Sequence, residues 1–225
     1  MLYRKNNLLP VDQEVTFNFM GGTTIMYEFV RMYLRYYMYI YGYKFKEVSS
    51  GGLWRIAFDV TKNSGAFKGK DVYRVKGESR WTININPTAF NLPDYSHKVV
   101  QHEIGGHGLG LEHEHINFNQ GIEFTPKYFS SESAYQNWKK NGFIRPEDRH
   151  HFVATPMRID ALTAYSFNPD QVVNQEHAGV YLIDANAQDI IEMREHINSP
   201  KIGNYIMLPP EWREIYKMNE KIKIV

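Results

Sequence analysis

Cysteine is absent from the 225 residues, so disulfide cross-links and thiolate chemistry are excluded. The chain also lacks any apolar run of about 18 residues, the length a membrane-spanning helix requires. Its N-terminus, Met1 to Pro10, carries Arg4 and Lys5 but not the apolar core of a signal peptide. Net charge is nearly nil: 26 Lys and Arg against 25 Asp and Glu leave +1. The two signs are interspersed, which gives no strong field for nucleic acid or an anionic membrane. Internal repeats and low-complexity linkers are missing as well. What the chain does have is a 43% hydrophobic share, with aromatic residues making up 15% of the whole chain, enough for one sizeable core.

Secondary structure is legible in the first half. Val15, Phe17 and Phe19 alternate with Thr16 and Asn18 and predict a strand. Gly21-Gly22 ends it, and Thr23 or Thr24 caps a helix running to about Tyr41. Glu28, Arg31 and Arg35 share one face of that helix, while Ile25, Phe29, Met32 and Tyr36 share the other. Its many tyrosines read as core packing rather than a ligand surface. Further alternation predicts strands from Trp54 to Val60 and from Trp81 to Ile85; the latter is a candidate edge for pairing with an extended peptide. Ser96 is placed as the cap of the next helix. A long irregular region, roughly Asn117 to Ser166, follows. A last helix is expected over about Ala187 to Ile197, capped by Asn186, with Ile190, Met193 and Ile197 facing inward.

The second predicted helix carries His102-Glu103-Ile104-Gly105-Gly106-His107-Gly108-Leu109-Gly110-Leu111-Glu112-His113. Three imidazoles and a carboxylate within one short stretch make a zinc ligand set with a general base beside the first ligand. Zinc takes neutral imidazoles at about 2 Å and leaves one position for water, whose pKa it lowers toward 7. Glu103 stands where it can take that water's proton and pass it to a leaving amine.

One residue is in surplus. On a regular helix, residues four apart differ by about 40° in direction, but residues five apart differ by about 140°. His102 and His107 are five apart and would diverge. A π-bulge, closed by i→i+5 bonds, absorbs a single inserted residue, and Gly105 and Gly106 tolerate the distortion. Glycines at 105, 106 and 108 each cost roughly 1 kcal/mol against alanine in a helix, which a purely structural helix rarely accepts. Gly110 supplies the left-handed exit that would turn His113 back toward the metal.

The pattern His102-Glu103, His107-x-x-Gly110-x-x-His113 resembles the metzincin zinc signature. His113-Glu114-His115 looks like the bacterial astacin-like peptidases. The opening strand, Gly-Gly and long helix are similar to the start of those catalytic domains, as are Trp54 to Asp59, Asn86-Pro87-Thr88 and Val99-Val100-Gln101. Asp160 to Phe167 is similar to the family's Met-turn segment, and Leu182 to Ile191 to the approach to its final helix. The likeness covers roughly residues 12 to 198. It departs in two places. The inserted glycine gives HExxGH, a motif otherwise similar to that of certain dipeptidyl peptidases. Thr163 stands where the family has its methionine.

The resemblance implies an α+β, metzincin-like zincin domain: a twisted mixed β-sheet with two long helices in the upper half, and a loop-rich lower half with a C-terminal helix. It divides the chain into a segment 1–11, a catalytic domain 12–198 and an extension 199–225. It implies Zn2+ on His102, His107 and His113, with Glu103 as general base and acid. Tyr165 would be the switch residue that donates to the developing oxyanion. His115 is the first alternative ligand, and Glu112 and Glu114 would orient ligands or bind solvent. The implied activity is that of a zinc-dependent endopeptidase acting on peptide or protein as a monomer, without nucleic acid or membrane partners. Secretion or delivery into another cell is expected rather than residence in the cytoplasm. The alternatives are a degenerate relative that binds zinc or peptide without efficient cleavage, and a highly selective effector or toxin protease.

Overall fold

The computed structural model describes residues 2–91, 96, 99–113, 118–119, 131–141, 144–154, 195, 197–198 and 200. Its main layer is a five-stranded sheet in the order β3-β2-β4-β6-β5, built from β2 (Glu14–Met20), β3 (Lys44–Glu47), β4 (Trp54–Ala57), β5 (Gly65–Ala66) and β6 (Ile83–Asn84). β3, β2, β4 and β6 run parallel, while β5 is antiparallel to β6. A separate antiparallel pair joins β1 (Leu2–Arg4) to β7 (Phe152–Ala154). The mixed sheet expected from the sequence is therefore present.

Between β2 and β3 runs α1 (Thr24–Tyr41). Its ends follow the local rules: the Thr23 hydroxyl accepts from the Met26 N–H, and Gly42 closes it at φ 81°. The helix buries Phe29, Met32, Tyr33, Tyr36 and Tyr37, which pack with Trp54, Ile56, Ile83 and Ile85 in one core. Ile25 departs from the expected inward face and stays half exposed, while Met26 beside it is buried. On the outer face Arg31 bridges Glu28 and Glu47 at 2.7 and 2.6 Å, an exposed set that contributes little to stability.

Three expectations are corrected. The segment Trp81–Ile85 is not the sheet edge. β6 lies between β4 and β5, because the chain from Gly65 folds back beside it and Phe67 N–H donates to Thr82 O. The region read as irregular from Asn117 to Ser166 contains α2 (Glu132–Asn141). Its apolar residues are only Ala134, Tyr135 and Trp138, too short a set to mark it in the sequence. It is supported instead by Glu132 in the first turn, Lys139 and Lys140 in the last, and a Gln136–Glu132 bond of 2.7 Å. Ser96 is itself helical and buried rather than a cap preceding the helix. Near the end of the described residues, Glu195 is helical, Ile197 is buried in the core as expected, and Asn198 takes φ 53°.

Candidate metal centre

Helical turns at Val99 and Val100 lead into a π-helix over Gln101–Gly108. Leu111 N–H closes the end of it onto Gly106 O at 3.0 Å, a five-residue step. This wider winding answers the surplus residue: five positions now bring His102 and His107 onto one side instead of splaying them. The helix is anchored both by α1 and by the sheet. Gln101, fully buried, bonds its side-chain amide to the Tyr33 hydroxyl at 3.0 Å. Gly108 lies on the Trp54 ring so closely that an added Cβ would sit 3.2 Å from Cζ2.

The chain then turns at Gly110, whose φ is +112° and whose N–H is shared between Gly106 O and His107 O at 3.0 and 2.9 Å. A Cβ there would lie 2.8 Å from Asn7 O and 2.9 Å from Leu8 Cα. Both the dihedral and the space demand glycine. Gly110→Ala should therefore destabilise the protein by roughly 1–3 kcal/mol and weaken metal binding. Urea unfolding compared with the parent checks this, and an unshifted midpoint would count against the close approach.

The turn delivers His113 to the other two rings. His113 Nε2 lies 3.2 Å from His102 Nε2 and 3.1 Å from His107 Nε2. All three ligand nitrogens fall within 4.8 Å of one another. A ring nitrogen has one in-plane position, filled by a proton or by a lone pair. His113 Nε2 therefore cannot hydrogen-bond to both neighbours. A cation in the middle satisfies all three, and nitrogens about 2.0–2.1 Å from a tetrahedral zinc stand about 3.3 Å apart, close to what is seen. The tautomer agrees: His107 Nδ1 sits 3.0 Å from Leu111 O, which can only accept, so the proton is on Nδ1 and the Nε2 lone pair faces inward. Burial, and then the neighbouring His102 and His113, hold His107 well below the usual imidazole pKa and keep it neutral.

Glu103 is buried beside the cluster, and its Oε2 has no hydrogen-bond partner among the described residues. Burial pushes its pKa up to about 8, opposed in part by the charge of Lys68. An unpaired carboxyl in such a place has a proton to take or give. Glu112, immediately before His113, is buried too; its Oε2 accepts from Lys68, while its Oε1 lies 3.1 Å from Arg4 Nε as an ion pair without hydrogen-bond geometry.

No protein-family model matches the chain, and no curated protein does. Solved structures do match. A structure of myroilysin aligns with 86% of this chain and 98% of its own, with a TM-score of 0.60 and 18% identity. A crystal structure of myroilysin aligns with 87% of each chain, with a TM-score of 0.56 and 18% identity. The chain has a metzincin-like fold.

Within that metzincin-like frame, the structure brings together His102, His107 and His113 with Glu103 beside them. Tyr165, Thr163, Met157 and the rest of the Met-turn segment lie outside the described residues, as do Glu114, His97, His115, His177 and His196, most of the last helix and nearly all of the extension 199–225. His150 and His151 stack on each other at 3.8 Å on an exposed 3-10 turn, Pro146–His151, apart from the cluster. Lys68 carried no signal in the sequence. It is an ordinary lysine between two strands and meets Glu112 only through the fold, across 44 positions.

Proposed function

We propose that the chain is a zinc-dependent endopeptidase of metzincin type, similar to the astacins. The observation that carries this is the convergence of three Nε2 atoms, with His113 in contact with both others, next to a buried carboxyl whose Oε2 has no hydrogen-bond partner among the described residues. His102, His107 and His113 would hold Zn2+. Zinc bound there supplies a Lewis acid for the scissile carbonyl and acidifies water at neutral pH. Glu103 would accept the proton from the attacking water and donate it to the leaving amine. Its burial supports that exchange by bringing its pKa near the working range. By resemblance, Tyr165 would donate a hydrogen bond to the oxyanion that develops.

The substrate would be an extended peptide or protein and the working unit a monomer, with residues 12–198 as the catalytic domain. Action outside the producing cell fits the same proposal. The surplus glycine and Thr163 motivate a relative that binds zinc without cleaving; the π-turn accommodates the glycine, which favours the enzyme, and Thr163 lies outside the described residues.

The test is metal analysis followed by digestion of a broad peptide library. One zinc per chain and cuts abolished by a chelator are expected. Tight zinc with no cleavage of any library member would leave a binding protein instead. His113→Ala should lose the metal while keeping the sheet, as seen by circular dichroism.

A further inference from the structure

Glu112 has almost no exposure and carries a charge one residue from a metal ligand. A buried carboxylate is expensive to hold unless it is paired and hydrogen-bonded. Lys68 hydrogen-bonds its Oε2 and the Arg4 charge lies beside its Oε1, two partners from different parts of the chain. Lys68 follows the edge strand β5, and Arg4 ends β1. The same three segments are stitched by backbone groups. Glu112 N–H donates to Leu2 O at 2.8 Å, Leu9 N–H to Leu109 O at 3.1 Å, and Lys70 N–H to Asn7 O at 2.9 Å. Asn7 Nδ2 donates to Lys68 O at 2.9 Å. Gly69 and Gly110 both press against Asn7. The turn that carries His113 is thus wedged between the N-terminal strand and the sheet edge, with the ion triad at its centre.

We propose that Lys68 is a positioning residue for the third metal ligand: with Arg4 it grips the buried Glu112 carboxylate and so fixes the direction in which His113 approaches the ion. This rests on the metal-binding role of His113 proposed above. Lys68 also sits near enough for its charge to act on Glu103 and His107. Pairing with Glu112 offsets that charge beside a site meant for a divalent cation. Removing Lys68 alone would leave the carboxylate buried and held from one side only, free to draw the turn away toward solvent.

The experiment measures zinc affinity by competition with a chromogenic chelator, and the visible spectrum of the Co2+-loaded protein as a record of ligand geometry. The parent, Lys68→Met, Lys68→Arg, Glu112→Gln and the double variant Lys68→Met/Glu112→Gln are compared. Lys68→Met should bind zinc roughly 10- to 100-fold more weakly and show an altered Co2+ spectrum. Lys68→Arg should recover most of the affinity, since it keeps the charge. The double variant should be no worse than Lys68→Met, because the two side chains act as one unit. A general loss of stability would not move the Co2+ spectrum of the folded fraction. Parent-like affinity and spectrum in Lys68→Met would overturn the proposal. If that variant does not fold, the near-isosteric Glu112→Gln decides: weakened zinc supports the triad, and parent affinity refutes it. A parent that binds no zinc at all would instead overturn the function proposed above.

Discussion

Glu103→Gln should lower peptide hydrolysis by roughly 10²- to 10⁴-fold while leaving zinc content unchanged. The amide keeps the size of the carboxyl but can no longer exchange a proton, and it lies off the three-nitrogen set that would hold the metal. The same substitution has a second, opposite consequence in the zinc-free protein. Burial raises the pKa of Glu103 from 4.5 to about 8. Between those values the folded state binds a proton that the unfolded chain releases. Stability is therefore greatest at the acid end and falls as pH rises through that window. Glutamine has no such proton. Zinc-free Glu103→Gln should melt higher than the zinc-free parent at neutral pH, with a gap that widens from pH 4.5 toward 8. Parallel melting curves across that range would show the carboxyl to be better solvated than its burial indicates. Turnover at the parent rate would remove Glu103 from the chemistry.

Trp54→Ala should destabilise the fold by about 3–5 kcal/mol, the usual penalty for emptying a large aromatic site in a core. Trp54 is fully buried in β4, with Phe45 at 5.2 Å from its ring centre on one side and Gly108 against its six-membered ring on the other. It is the floor on which the π-helix rests, so zinc release should quicken as well. Trp54→Phe should lose much less. It keeps part of the ring, and the indole N–H it removes has no partner among the described residues, so no bond is broken. Urea unfolding of the two variants gives the comparison. A Trp54→Ala midpoint close to the parent's would mean that the sheet does not support the site through this contact.

These two residues show where local pattern is informative. Strict alternation marked β2 and β4, and a threonine cap ahead of an amphipathic run marked α1, because each signal acts over a few neighbouring positions. The five-residue histidine spacing, with glycines inside it, pointed to π-winding for the same reason. The short strands β1, β3 and β5 have too few residues for any period to show. α2 has only Ala134, Tyr135 and Trp138 as apolar residues, too short a stripe to stand out. The edge of the sheet was misplaced because edge position depends on which distant strand docks last, and the antiparallel return of Gly65–Ala66 is a tertiary event.

His102, Glu103, His107 and His113, the turn at Gly110 and the need for an unusual helix between them are properties of twelve consecutive residues, and side-chain chemistry with backbone sterics suffices to derive them. That the three imidazoles converge with His113 Nε2 3.1–3.2 Å from the other two, that Glu103 is shut away from water, and that Glu112 is paired with Lys68 and Arg4 were decided by the fold. Burial and long-range ion pairing depend on which surfaces meet, and no local pattern encodes a meeting between residues 4, 68 and 112.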